Sequence, residues 1–334
     1  MDFELNEEQK LIKEAASNFA NQVLLPTILE RDETQTFPTE EIKQLAELGF
    51  MGMMVDPSYG GSGLDTMSYV LAMEELSKID AAASVVMSVN NSLVCWGLEK
   101  YGTAEQKEKY LPDLCNGKKI GAFCLSEPEA GSDATSQKTM AVKKGDYYEI
   151  TGTKNWITNG SSASIYLVIA QTDPEKGSKG ISAFIVEKDS PGFVIGPKEN
   201  KLGIRSSDTH SLQFNQIKVC KENRIGAEGF GFTFAMKTLS GGRIGIAAQA
   251  LGIAAGAYEL ALNYAKQREA FGKPICQHQA IAFKLAQMHT KIEAARHLVY
   301  KAAWEKDQGL NYDLSGAMAK LNASEVAMEV SVEA

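Results

Sequence analysis

Two changes of hydrophobic period divide this chain, and each period commits its segment to one kind of structure. Apolar residues at every third or fourth position bury one stripe of a helix, whereas alternation buries one face of a strand. Up to about residue 120 the period is helical. Asn6 with Gln9 has the form of a capping box, and Leu11, Ile12, Ala15, Ala16, Phe19 and Val23 follow at helical spacing. Thr39 after Pro38 starts a second helix that stops near Gly49, the loop Pro57 to Gly63 leads to helices over about 66–79 and 82–101, and Thr103 with Gln106 opens another. Between about 121 and 225 the runs are short and alternating or wholly apolar: Tyr148 to Thr151, Ile165 to Ala170, Ile181 to Val186, Phe193 to Ile195, Leu212 to Phe214 and Ile217 to Val219. Gly, Pro, Asn and Asp punctuate them, which predicts strands.

After Gly229 long helices return. The first, about 230–268, carries Gly241, Gly242, Gly245, Gly252 and Gly256, small residues that let neighbours approach closely. The next places Ile281, Leu285, Met288, Ile292, Ala295, Val299 and Ala302 on one seam, as a helix bundle requires. A last pattern runs from Asp313 through Leu314, Ala317, Met318, Leu321 and Val326 to Ala334 without a Gly or Asn stop. The expected organisation is therefore a multi-domain α and β chain: an N-terminal helical domain over 1–120, a middle β domain over 121–226 and a C-terminal helical domain over 227–334.

Charge and cysteine usage narrow the partners. With 34 Lys and Arg against 42 Asp and Glu the net charge is −8, so phosphate-backbone electrostatics cannot dominate and nucleic acid is not expected. The five cysteines, Cys95, Cys115, Cys124, Cys220 and Cys276, contain no CxxC pair, which fits a reducing cytoplasm better than a disulfide framework or zinc ribbon. The N-terminus is acidic and lacks the pattern of a signal peptide, and no run approaches the ~18 uninterrupted apolar residues of a membrane span.

Several chemistries are absent as motifs: no GxxxxGK[ST], GxSxG, HExxH or strand-GxGxxG-helix pattern occurs. Gly229-Phe230-Gly231 superficially resembles a phosphate cradle but lacks the remaining glycines, and reads as an inter-domain turn. His289, Glu293 and His297 share a helical face, readable as metal ligands or, off the apolar seam, as a solvated polar face. More informative are Phe123-Cys124-Leu125-Ser126-Glu127-Pro128-Glu129-Ala130-Gly131-Ser132-Asp133 and Asn155-Trp156-Ile157-Thr158-Asn159-Gly160. Their hydroxyls and indole suit the edge and face of a heteroaromatic ring. They equally suit ordinary turns, with Asn159-Gly160 as a type I′ hairpin.

Cys124-Leu-Ser-Glu-Pro-Glu-Ala-Gly-Ser-Asp133 and Trp156-Ile-Thr-Asn-Gly160 resemble the two signatures of the acyl-CoA dehydrogenases. Lys201-Leu-Gly-Ile-Arg205, the block Gly241 to Gly252, and Gln267-Arg-Glu-Ala-Phe-Gly-Lys-Pro274 are similar to further blocks of that family in its order. Val89-Asn-Asn-Ser-Leu93 and the Gly241 block are most similar to the short-chain, butyryl-CoA type. The resemblance spans essentially the whole chain. It implies a helical domain, a middle β-barrel-like domain and a C-terminal four-helix bundle, FAD as cofactor, and α,β-dehydrogenation of a short-chain acyl-CoA. In such a reaction a carboxylate removes the α-proton while a hydride leaves the β-carbon, and fixed donors meet the charge on the thioester oxygen. It further implies electron transfer to an electron-transferring flavoprotein, and a homotetramer built as a dimer of dimers.

By the same resemblance Phe123, Leu125, Ser126, Trp156, Ile157 and Thr158 line the flavin ring, and Ser132 touches both the flavin's diphosphate side and the acyl-CoA. Arg268, Phe271 and Gln279 reach the ADP part of FAD, commonly that of a neighbouring subunit. Gly242 and Arg243 adjoin the substrate. The family's base is a glutamate in a C-terminal Ile-Tyr-Glu-Gly-Thr-like motif, or in a minority of relatives at the position of Gly242. The sequence reaches Ala334 inside a helical pattern before any such motif, so no catalytic base and a truncated bundle are expected here. Ser240 also replaces the aspartate usual before Gly-Gly-Arg.

Overall fold

The computed structural model describes residues 4–334; of the acidic N-terminal run, Met1, Asp2 and Phe3 lie outside it. The elements follow the two changes of period. Helices α1 (Glu7–Phe19), α2 (Ile28–Thr34), α3 (Thr39–Glu47), α4 (Thr66–Ile79), α5 (Ala81–Ser88), α6 (Trp96–Tyr101) and α7 (Ala104–Cys115) precede the strands. Both capping boxes form: Asn6 Oδ1 accepts from Gln9 N at 2.8 Å and Thr103 Oγ1 from Gln106 N at 3.3 Å. Gly49 ends the α3 segment with φ +78°, a left-handed turn that only glycine adopts without cost. A π-helical segment, Val89–Cys95, joins α5 to α6, so the predicted helix over 82–101 is one continuous run with an inserted bulge.

The strands are β1 (Gly121–Cys124), β2 (Met140–Lys144), β3 (Tyr147–Thr158), β4 (Ile165–Gln171), β5 (Ile181–Glu187), β6 (Phe193–Lys198), β7 (Thr209–Cys220) and β8 (Arg224–Ile225). They form one mixed sheet in the order β6-β7-β3-β2-β4-β5-β8, with β1 parallel to β4. The path ends on β6 and β8, so the β region is an open sheet, which corrects the barrel-like expectation. Strand β4 is buried along its whole length, as its apolar sequence requires, and Tyr148, Ile150, Tyr166, Val168, Phe184, Leu212, Phe214 and Ile217 fill the core beside it. The predicted runs 212–214 and 217–219 are one strand, β7, with an extra residue at its register shift against Ile150 and Gly152 of β3. Asn159-Gly160 is not a type I′ hairpin: Asn159 has φ +61° but Gly160 is not left-handed, and β3 and β4 lie on either side of β2.

Helix α8 (Gly231–Gln267), the short hairpin β9 (Glu269–Ala270) and β10 (Lys273–Pro274), α9 (Gln279–Asp307) and α10 (Asp313–Glu333) complete the chain. The described residues form two compact units, one of residues 4–30, 65–85 and 243–334, the other of 31–64 and 86–242. In the first, α4 packs against α1 and α9, and α9 against α10. Gly252 and Gly256 let α8 reach the α4 backbone: a Cβ added there would lie 2.4 Å from Glu74 O and 2.2 Å from Lys78 O. The predicted α9 seam is buried from Leu285 to Ala302. On α10 the expectation is corrected: Leu314, Met318 and Leu321 are exposed, while Ser315, Gly316, Ala319, Ala323 and Ala327 are buried, because small residues allow the closest helix approach. Helices Ala81–Tyr101 and Gly231–Gln267 are long and apolar enough to cross a membrane, and most of each apolar window is buried inside the protein, as in core helices.

Candidate functional site

The second unit brings together the two motif stretches that are far apart in sequence. Strand β1 delivers Phe123 and Cys124, and the chain then leaves the sheet as a loop that Glu127 and Ala130 close on each other, Glu127 N donating to Ala130 O at 3.1 Å and Ala130 N to Glu127 O at 3.2 Å. The loop is tied to β3 by Asn155 N, which donates to Ser126 O at 2.9 Å. Beneath it Lys154, with no exposed surface, donates to Leu125 O at 2.9 Å, Glu127 Oε1 at 2.7 Å and Gln137 Oε1 at 2.5 Å. Burial pushes the Lys154 ammonium down to about 8, against the pull of Glu127, which keeps it protonated at neutral pH. Burial alone would raise Glu127, but the Lys154 charge and the amides of Lys138 and Thr139 outweigh it and hold the carboxyl below its ordinary value. Burial also raises the Cys124 thiol to about 12, so it is no nucleophile at neutral pH.

Past Lys154 the strand changes course. Between Lys154 and Ile157 β3 holds one residue more than β7 opposite, and Trp156 takes φ +61°. A bulky residue in that region is an outlier, and its indole is 64% exposed. Thr158 lies two residues on and half-buried, with no protein partner for its hydroxyl among the described residues, while Ile157 points into the core. The Ser126 N–H likewise has no protein acceptor among the described residues. Leu125 and Ser126 are half-buried beside them, Phe123 packs against Phe234 with ring centroids 6.2 Å apart, and Ser132 is exposed farther along the loop.

These are neutral N–H and O–H donors beside an exposed indole face, on a frame whose buried Lys154, Glu127 and Gln137 side chains are all hydrogen-bonded. That donor set fits a flat, heteroatom-rich ring such as a flavin. In the same unit Gly242 is buried on α8 against the π-helical segment: a Cβ there would meet Leu93 Cδ2 at 2.8 Å and Ser92 Oγ at 4.0 Å. The π-bulge is held by buried amides, Asn90 Nδ2 donating to Met51 O at 2.8 Å and Leu114 O at 3.1 Å, and Asn91 Nδ2 to Phe50 O at 2.8 Å.

The other predicted positions fall within the first unit. Arg268 and Phe271 belong to the β9–β10 hairpin after α8, Gln279 opens α9, and Arg243 is exposed on α8. Phe271 has φ +54° and is 97% exposed, its ring edge-on to His278 at 5.9 Å. Elsewhere in that unit, His289 stacks on Tyr258 and Glu293 pairs with Arg296, so both are committed to neighbours. Gly229–Gly231 packs on β5, Gly229 N donating to Ser182 Oγ at 2.9 Å, which makes it a turn between elements and no cradle. The residues that sequence reasoning missed are Lys154 and Gln137. Tyr148, Ile150 and Lys154 all occupy the core-facing parity of β3, and a lysine at that parity was the available signal.

Comparison with known proteins covers the whole chain. The N-terminal, middle and C-terminal domain models of acyl-CoA dehydrogenase match residues 6–118, 122–217 and 229–334. A short-chain specific acyl-CoA dehydrogenase from Clostridium acetobutylicum is 49% identical over 100% of this chain and 88% of its own length. The structure of butyryl-CoA dehydrogenase from Megasphaera elsdenii superposes with a TM-score of 0.98 at 49% identity, covering 100% of this chain and 88% of that one. A chain solved in work on the electron transferring flavoprotein of Acidaminococcus fermentans and flavin-based electron bifurcation gives a TM-score of 0.98 at 51% identity, covering 99% and 87%.

Proposed function

The chain belongs to the acyl-CoA dehydrogenase family, whose members are FAD-dependent oxidoreductases, and from that premise we propose that it converts a short-chain acyl-CoA to the trans-2-enoyl-CoA. The observation that carries the reading is the set of open donors and the strained, exposed Trp156 on one pinned frame. Ser126 N–H and the Thr158 hydroxyl would hold the polar edge of FAD and Trp156 would cover its ring, with Phe123 and Leu125 lining the same place; Ile157, whose side chain is in the core, would contribute only its backbone. Ser132 would meet both cofactor and thioester, and Arg268, Phe271 and Gln279 the ADP part of a cofactor. The chemistry FAD supplies when bound is acceptance of the hydride from the β-carbon. The chain's part is to orient the thioester, exclude water with the indole and hold the donors fixed. Short acyl length is supported by the short-chain relatives and by Leu93 against Gly242. Delivery of electrons to an electron-transferring flavoprotein, a homotetramer and a cytoplasmic location belong to the same proposal, the last supported by five unpaired cysteines.

A second reading, binding without turnover, is favoured by one feature: position 242 is glycine and offers no carboxylate. Incubating the FAD-loaded chain anaerobically with butyryl-CoA separates the two. Formation of the enoyl-CoA, read by mass, supports dehydrogenation, a flavin spectrum perturbed without product supports the binding protein, and an unperturbed spectrum overturns both.

A further inference from the structure

Lys154 carries a full charge into the interior of the sheet, and Glu127 beside it is only 4% exposed. A buried ion pair is a weak stabiliser, because desolvation offsets its attraction and apolar side chains of similar volume often fold as well. What this pair supplies that apolar groups could not is donors aimed at one backbone carbonyl. All three ammonium hydrogens are used, on Glu127, Gln137 and Leu125 O. Glu127 is held in turn by Lys138 N at 2.6 Å and Thr139 N at 3.1 Å. Gln137 closes the ring, its Nε2 donating to the same Leu125 O at 3.1 Å.

Leu125 O therefore accepts from two side chains, one for each lone pair. The peptide bond is planar and trans, so the N–H of Ser126 points away from the carbonyl of Leu125. With the carbonyl locked inward, the Ser126 N–H is turned out of the network, toward where no protein atom accepts it. Asn155 N fixes the far side of the same residue through Ser126 O. The result is one peptide immobilised from both ends, with its free donor presented outward.

We infer that Lys154, with Glu127 and Gln137, is a positioning residue for the cofactor: the network fixes the Leu125–Ser126 peptide so that Ser126 N–H stands as a preset donor to a flavin ring heteroatom. This rests on the reading of the Ser126, Trp156 and Thr158 group as the FAD site. The test is titration of the apo chain with FAD, read by quenching of flavin fluorescence and by the visible band of the bound flavin, for wild type, Lys154→Met and Gln137→Leu. Loss of one donor on Leu125 O in Gln137→Leu, which keeps the ion pair, is expected to weaken FAD binding about fivefold, and Lys154→Met by about tenfold or more. Both are expected to shift the visible band, which a purely structural defect with an intact site would not do. FAD binding by all three proteins with one affinity and one spectrum would overturn the inference and leave the site reading standing. A wild-type chain that does not bind FAD would overturn both. Should Lys154→Met fail to fold, Gln137→Leu decides, since its unfolding midpoint can be compared with wild type alongside its affinity.

Discussion

Trp156 shows most plainly at the residue scale that folding alone did not choose the local conformation. Its left-handed backbone costs on the order of 1–3 kcal/mol, and the indole recovers little of that by burial. Trp156→Gly is therefore expected to leave the unfolding free energy within about 1 kcal/mol of wild type while markedly weakening FAD binding. Chemical denaturation beside a flavin titration checks this, and a large loss of stability would make Trp156 a structural residue instead. Glu127 gives a pH dependence whose sign follows from its lowered carboxyl. A carboxylate with a folded pKa below its unfolded one stabilises above the unfolded value, about 4.3, and loses that contribution as pH falls through the folded value. Unfolding free energy measured across the acid range should fall in wild type and fall less steeply in Glu127→Gln; parallel acid limbs would contradict the pairing.

Elements were legible in the sequence where their causes are local. The two capping boxes join residues three apart, and the α9 seam repeats within one helix, so both follow from spacing alone. Lys154 was hidden because its three acceptors lie 17, 27 and 29 residues away. Strand β2 was missed since its Val142, Lys143 and Lys144 are exposed and show no apolar alternation, and α10 was assigned the wrong face because close packing selected its small residues over its large ones. The π-bulge, by contrast, rests on Asn90 and Asn91 bonding to carbonyls tens of residues distant, a pattern that no window of sequence displays. Glycines of α8 and of the loop between β6 and β7 differ in what a side chain would meet. Gly256→Val would drive a side chain into Lys78 O and is expected to cost about 2–3 kcal/mol by thermal or urea unfolding, whereas Gly203→Ala, with nothing within 4 Å, should be near neutral. The one close neighbour of a Cβ at Gly242 is the flexible end of Leu93, with Ser92 Oγ at ordinary contact distance, so Gly242→Glu requires Leu93 to move. A carboxylate there is expected to raise the rate of butyryl-CoA-driven flavin bleaching in the 334-residue chain by on the order of 100-fold, measured by anaerobic stopped flow; an unchanged rate would remove position 242 from the substrate's reach.

For the whole molecule, helical segments precede and follow the strands of a mixed sheet along the sequence, and all three family domains are matched. The open donors and the strained aromatic cluster in the unit that contains the sheet, while the other unit is helical apart from the β9–β10 hairpin and presents Arg268 and Phe271 on exposed backbone. The division explains why the fold was readable from two changes of period and the site only from motifs: periodicity reports burial, whereas Ser126, Trp156 and Thr158 are defined by what the protein leaves unsatisfied. The central claim is that this sheet-borne group holds FAD beside a short acyl-CoA. Its most direct test is the visible spectrum of the FAD-reconstituted chain during an anaerobic titration with butyryl-CoA. The account predicts a bound flavin band that changes saturably as butyryl-CoA is added; a chain that retains no flavin, or a flavin band indifferent to butyryl-CoA, would contradict it.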